Sequence, residues 1–168
     1  MNPAKLLQAI SFAADKHRNQ RRKDQDASPY INHPIAVATV LASEGNVDDE
    51  LVLLGAILHD TVEDTKATYA QILRLFGMSV TSLVFELTSD PVALKKMGKL
   101  EYLKSHMAGM SSYALFLKLC DRLANLQDNP SPKQLEDTSI ILKHLRDRRR
   151  LSKSHLAVMA EIEKILVQ

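Results

Sequence analysis

Residues 53–65 read LLGAILHDTVEDT. An apolar segment, Leu53 to Leu58, runs straight into His59 and Asp60, and Glu63 and Asp64 follow one helical turn later. His59 and Glu63 stand at i,i+4, as do Asp60 and Asp64, so a helix continuing through them stacks each pair on one face. His59 and Asp60 point about 100° apart on such a helix, which has about 3.6 residues per turn. They share an ion only in a cavity between helices. A carboxylate at the inner end of an apolar helix also needs a partner or a metal, because burying it alone is costly. The rest of the chain must supply further ligands and the walls.

Upstream, Asp48 and Asp49 suit the start of this helix, where acidic groups complement the helix dipole. Leu51, Leu54, Ile57 and Leu58 carry it inward, and its nearly all-round apolarity places it centrally. Gly45-Asn46 separates it from a helix opened by Asn32-His33-Pro34, with Pro34 at the first helical position. The expected buried stripe there is Ile35, Ala38, Leu41 and Ala42. His33 stands at the mouth of that helix and reads as structural, as exposed, or as a ligand. Before it, residues 18–30, RNQRRKDQDASPY, form a loop bearing Arg18, Arg21, Arg22 and Lys23. The loop reads as a solvated basic connector or as an anion clamp, with Arg gripping phosphate bidentately and Lys adding a point charge. Asn2-Pro3 caps a first helix running to about Arg18, with Leu6, Ile10, Ala13, Ala14 and His17 at helical spacing.

Downstream, Thr68 and Gln71 have capping-box spacing, and Gly77 is a C-terminal stop. Val80, Leu83, Val84 and Leu87 mark a fifth helix. Residues 90–98 read as a polar loop or a weak helix start, and Leu100, Leu103 and Met107 as a further helix. Ser111 or Ser112 caps YALFLKLCDRLANL, in which Leu115, Leu119, Leu123 and Leu126 fall near one face. Asp121 and Asn125 lie one turn apart on a neighbouring face, and a salt bridge from Asp121 to Lys118 or Arg122 is the bland explanation for that acid. Ser131, Pro132 and Gln134 open another helix, carrying Leu135, Thr138, Ile141, Leu142 and Leu145. Its basic end, Arg146 to Arg150, has no interleaved aromatics and sits where cations suit a helix C-terminus, so it does not indicate nucleic acid. Leu156, Met159, Ile162, Ile165 and Leu166 form the last amphipathic stripe.

The totals agree with an all-α chain. The 168 residues fit a single domain, 1–168, as a helical bundle of roughly eight to nine helices. With 45% hydrophobic and 25% charged residues the composition is ordinarily globular. Only 5 Gly and no Trp argue against a turn-rich β architecture. No run is apolar for long enough to imply a membrane partner, and MNPAKLLQAISFAADKH does not read as a signal peptide. The lone Cys120 fits a reducing cytoplasm. The net charge of +2 selects no partner, and no partner-binding surface stands out.

Across these helices stand two imidazoles and two carboxylates: His33, His59, Asp60 and Asp121. A mixed set of this kind suits a divalent ion such as Mn²⁺, Fe²⁺ or Zn²⁺, although spacing alone does not make the four converge. The order H…HD…D resembles the HD-domain metal-dependent phosphohydrolases. Three segments sharpen the likeness to the guanosine tetraphosphate (ppGpp) hydrolases of the RelA/SpoT-homologue superfamily. RRKDQDASPYINHP resembles their basic loop and first-ligand segment, AILHDTVEDT their HD segment, and LKLCDRLANL their last-ligand helix. The likeness spans about Ala13 to Asp128, and the chain resembles a small stand-alone alarmone hydrolase. It implies a cytoplasmic enzyme that removes the 3′-pyrophosphate of ppGpp or pppGpp, giving GDP or GTP. His33, His59, Asp60 and Asp121 would hold one Mn²⁺. Glu63 and Asp64 would position or deprotonate the attacking water. Arg22 and Lys23 would hold the nucleotide and its phosphates, and Asn125 would contact the ribose-phosphate region. Ala124 and Cys120 depart from the family pattern, and Ala124 leaves open an HD phosphatase or pyrophosphatase acting on another nucleotide. A nucleotide-binding module without activity has less to recommend it, because a binder needs no water-activating pair.

Overall fold

Capping chemistry and apolar periodicity make helices wherever the computed structural model describes the chain, which is residues 2–24, 26–43 and 49–167. Gly45-Asn46 and Asp48, read above as a chain break and a helix start, lie outside the described residues. Among the described residues the only β pairing is a single bridge between Arg21 and Pro29. Among them, too, nine helices have eight or more residues, and two shorter ones accompany these. The chain divides into two compact units, Met1–Thr88 and Ser89–Gln168.

In the first unit, α1 (Pro3–Lys16) starts at Asn2, whose side chain accepts a hydrogen bond from the Ala4 N–H. It ends two residues earlier than expected, with His17 as its C-cap. Next comes α2 (Asn32–Ser43), then α3 (Glu50–Leu58), capped by the Asp49 side chain. Every residue of α3 from Val52 to Leu58 is buried, as its all-round apolarity requires. It packs against α1, α2 and the helix Met78–Leu87, and the fully buried Ala9 and Ala13 form the part of the core contributed by α1. The short α4 (Thr61–Asp64) leads to α5 (Tyr69–Phe76) and α6 (Met78–Leu87). Both reciprocal bonds of the Thr68–Gln71 capping box are made, and Gly77 takes φ 88°, a left-handed value that glycine adopts without a Cβ penalty. Val80, Leu83, Val84 and Leu87 are the buried residues of α6, as their spacing indicates.

One stripe differs from expectation. Ile35 and Ala42 are exposed, and α2 instead buries His33, Pro34, Val37, Val40 and Leu41. Residues 34–42 are apolar at every position but Thr39, so spacing alone does not choose the face. The helix also begins at Asn32, which places His33 in its first turn and not at its mouth.

In the second unit, α7 (Pro91–Met97) is a regular helix where the sequence suggested a loop or a weak start. Asp90 accepts from the Val92 and Ala93 N–H groups, Pro91 fills the first position and Gly98 ends the helix. These three boundary signals outweigh its polar composition. After α8 (Lys99–Gly109) comes α9 (Ser112–Leu126), capped by Ser111. Then follow α10 (Pro132–Arg148), with both capping-box bonds of Ser131 and Gln134, and α11 (Lys153–Leu166). The basic end of α10 serves the packing of this unit. Arg149 donates to the carbonyls of Met107 (3.0 Å), Ala108 (3.4 Å) and Met110 (2.8 Å), at the C-terminal end of α8.

On α11 the buried set is His155, Val158, Met159 and Ile162, while Leu156 is 39% exposed. His155 takes the inward position because its ring finds partners at both ends. Nδ1 accepts from the Ser152 N–H at 3.0 Å, and Nε2–H donates to the Ser112 carbonyl at 2.9 Å. Burial holds this imidazole below its ordinary value and nearby Arg149 adds to that, against the opposing Ser112 carbonyl. The unfolded chain, with His near pH 6.5, therefore takes up this proton more readily than the folded one. The His155 contribution is complete above that pH and is lost as pH falls through it. His155→Gln keeps the cap acceptor without the titration, so its urea midpoint should fall less than that of the wild type between pH 7.5 and 5.5.

Candidate metal centre

The fully buried α3 carries the chain to Leu58, and His59 still has helical angles (φ −55°, ψ −39°). Asp60 relaxes to φ −95°, ψ −5°, and α4 starts after it. The helix therefore does not run unbroken through the HD pair. Thr61 closes the break, its hydroxyl donating to the Leu58 carbonyl at 2.7 Å. The Asp64 N–H donates to the Asp60 carbonyl at 2.9 Å, which preserves the one-turn spacing of these two acids.

The break lets the Asp60 carboxylate turn toward His59. Asp60 Oδ2 lies 3.0 Å from His59 Nε2 and 3.8 Å from His33 Nε2. The two imidazole rings meet edge to face at 5.4 Å. One ligand atom from each of His33, His59 and Asp60 falls within 4.8 Å of the others, so the three form a group that could hold a metal ion.

The donor chemistry fits a cation. His59 Nδ1 is 2.7 Å from the Ala56 carbonyl, which can only accept, so Nδ1 carries a proton and the neutral imidazole offers its lone pair at Nε2. That lone pair faces a carboxylate oxygen, another lone-pair bearer, and a metal ion between such atoms satisfies both. Nitrogen and oxygen donors together suit a borderline divalent ion.

Tyr30 and His17 belong to this site, and sequence reasoning missed both. The Tyr30 hydroxyl donates to Asp60 Oδ2 at 2.6 Å. Burial, then the Asp60 charge, pushes the phenol well above its ordinary value, so it stays a donor. Its ring stacks on His17 at 4.7 Å and meets His33 edge-on at 5.9 Å. The available signal was Tyr30 standing one helical turn before His33.

The basic segment is a tight reversal and not an open connector. The Arg21–Pro29 bridge and the bond from the Arg22 N–H to the Ser28 carbonyl (2.9 Å) close it. Asp24 is bonded by the Ser28 hydroxyl and by its N–H, which hold that carboxylate below its usual range. Arg22 lies 6.0 Å above the Tyr30 ring, a cation–π contact that brings it to the residue bonded to Asp60. Lys23 is exposed beside it. Glu63 and Asp64 are both exposed on α4, and Asp64 Oδ2 accepts from Gln20 Nε2 at 3.3 Å.

Asp121 and Asn125 belong to the second unit. Asp121 is 7% exposed on α9, with Lys118 Nζ 3.0 Å from Oδ2 and Asn125 Nδ2 donating to Oδ1 at 2.7 Å. The salt bridge that the sequence left open is thus made with Lys118, while Arg122 turns to the Thr138 hydroxyl at 2.8 Å. The neighbouring Cys120 is buried, and burial pushes its thiol up to about 12, so it packs as an uncharged side chain.

The chain as a whole is similar to known proteins. The HD-domain family model matches residues 9–143. Over 125 residues the chain is 46% identical to the guanosine-3′,5′-bis(diphosphate) 3′-pyrophosphohydrolase MESH1 of Xenopus tropicalis, covering 74% of this chain and 69% of that protein. The human MESH1 is equally similar, 46% identical over 125 residues with the same coverage. Among solved structures, one of a metazoan ortholog of SpoT, described as hydrolysing ppGpp, superposes with a TM-score of 0.81 at 35% identity. It covers 98% of this chain and 97% of its own.

Tyr30→Phe removes only the hydroxyl that orients Asp60. Losing such a partner of a metal ligand costs about 10- to 100-fold in affinity. A fall of that size in divalent-ion affinity, measured by chelator competition, is expected, with the fold retained by circular dichroism.

Proposed function

The chain belongs to the HD-domain family, and on that footing we propose that it hydrolyses the 3′-pyrophosphate of ppGpp or pppGpp, releasing pyrophosphate and leaving GDP or GTP. The observation that carries this reading is the His33–His59–Asp60 cluster, set beside a basic loop that reaches it through Tyr30. A nucleotide bearing two diphosphates needs both a cation at the bond being broken and fixed positive groups around it. The relatives described as acting on this substrate support the choice of nucleotide.

His33, His59 and Asp60 would hold a divalent ion, and Asp121 on α9 is the proposed fourth ligand, from the resemblance of LKLCDRLANL. Imidazole and carboxylate donors suit Mn²⁺, Fe²⁺ or Zn²⁺, and the choice of Mn²⁺ rests on the resemblance to the ppGpp hydrolases. When bound, such an ion lowers the pKa of a water and neutralises charge on a phosphoryl oxygen.

The residues of the chain do the rest. Glu63, one turn beyond His59 and exposed, would take the proton of the attacking water. Asp64 would orient that water while the Gln20 amide holds its other side. The Arg22 guanidinium would grip the phosphates bidentately, with Lys23 adding charge at the rim. Asn125 would meet the ribose-phosphate region. In this reading the two units serve one catalytic domain in the cytoplasm, and among the described residues no helix is long and apolar enough to cross a membrane.

The purified protein incubated with ppGpp and Mn²⁺ should release pyrophosphate and GDP, and excess chelator should stop it. Cleavage of another nucleotide with ppGpp left intact would overturn the substrate assignment. Glu63→Gln should lower turnover by about 10²- to 10⁴-fold, the usual contribution of a positioned base, while bound metal stays at the wild-type level. Metal loss in that variant would make Glu63 a ligand.

A further inference from the structure

His17 closes α1, and its ring is 2% exposed although it is not among the metal-cluster residues. Two chains of contact begin at it. Through its face it stacks on Tyr30, with centroids 4.7 Å apart and planes at 28°, and the Tyr30 hydroxyl donates to Asp60 Oδ2 at 2.6 Å. Through its edge, Nδ1 lies 2.6 Å from Gln20 Oε1, and Gln20 Nε2 donates to Asp64 Oδ2 at 3.3 Å.

The direction of the second chain follows from chemistry. The Asp64 carboxylate only accepts, so the amide nitrogen of Gln20 faces it. The amide oxygen then faces His17, and Nδ1 carries the proton. Gln20 is held for this purpose by its backbone. Its N–H donates to the His17 carbonyl at 2.8 Å, and its carbonyl accepts from the Tyr30 N–H at 3.1 Å.

We infer that His17 is a positioning residue that sets two acids of the site from one ring: Asp60 through the Tyr30 stack, and Asp64 through the Gln20 amide. The inference rests on the metal and water roles proposed above for those acids. Neither limb is explained by core packing alone. An apolar side chain fills a buried position as well as imidazole does, but it supplies no Nδ1–H for Gln20. Conversely, an amide supplies that donor without the aromatic face.

The two limbs separate by substitution. His17→Phe keeps a stacking ring and loses the donor. His17→Asn keeps a donor near the Nδ1 position and loses the ring. Mn²⁺ affinity by chelator competition and steady-state kinetics with ppGpp at saturating Mn²⁺ read the two limbs independently. His17→Phe should lower kcat about 10-fold or more, in the range for partners of site residues, with Mn²⁺ affinity held within about twofold. His17→Asn should show the reverse emphasis, with Mn²⁺ affinity down about 10-fold and kcat at saturation reduced less than in His17→Phe. Gln20→Leu, at a half-buried position, should reproduce His17→Phe even where the latter folds poorly. Equal loss of affinity and turnover in both His17 variants, or no loss in Gln20→Leu, would overturn the inference. If the wild type turns over no ppGpp, the functional reading fails. The Mn²⁺ affinities of His17→Asn and His17→Phe still decide the metal limb, which is lost if the two variants bind alike.

Discussion

A carboxylate at the end of a helix with seven consecutive buried residues, Val52 to Leu58, is the constraint around which Met1–Thr88 is arranged. Burying such a charge is expensive unless it is met by hydrogen bonds or a cation. Asp60 is met on several sides. Tyr30 donates to it at 2.6 Å, and the Nε2 atoms of His59 and His33, 3.0 and 3.8 Å from the same oxygen, complete with it a group that could hold a cation. The apolar helix gives the site its dry wall and its rigidity. The break after His59 gives the acid room to turn toward its partners.

The helices themselves were largely legible in the sequence. Capping boxes at Thr68–Gln71 and Ser131–Gln134 involve residues three apart, so local spacing suffices to find them, and both are made. The all-round apolarity of α3 likewise has one physical outcome, burial. The helix faces were less legible where composition does not discriminate. Val37 and Val40 point inward in place of Ile35 and Ala42 within a segment that is apolar on every side. On α11 the inward residue is His155 and not Leu156, because two hydrogen-bond partners make an imidazole acceptable in the core.

The same division runs through the site. The structure brings His33, His59 and Asp60 together, and the sequence points to them as a set through the H…HD…D order, since His33 alone reads equally as structural or exposed. Their supports were not legible in this way. Tyr30, His17 and Gln20 are ordinary residues in the sequence, and their significance depends on the tight reversal of residues 18–30. That reversal is set by Ser28 bonding to Asp24 and by a positive φ at Ala27, features that spacing does not encode. The structure also shows Lys118 paired with Asp121, so the bland reading of that acid was sound as far as it went.

The guanidinium of Arg149 acts as a clasp. By bonding the carbonyls at the end of α8 it joins positions 39 to 42 residues apart, and all of α9 lies inside the loop so closed. Closing a loop of that length has an entropic cost that grows only slowly with its size. All three carbonyls are met by one guanidinium nitrogen, Nη1, whose two hydrogens they share. The helix bearing Asp121 and Asn125 is therefore part of a non-covalent ring that Arg149 closes. The clasp that closes this ring stands 28 residues beyond Asp121 in the chain.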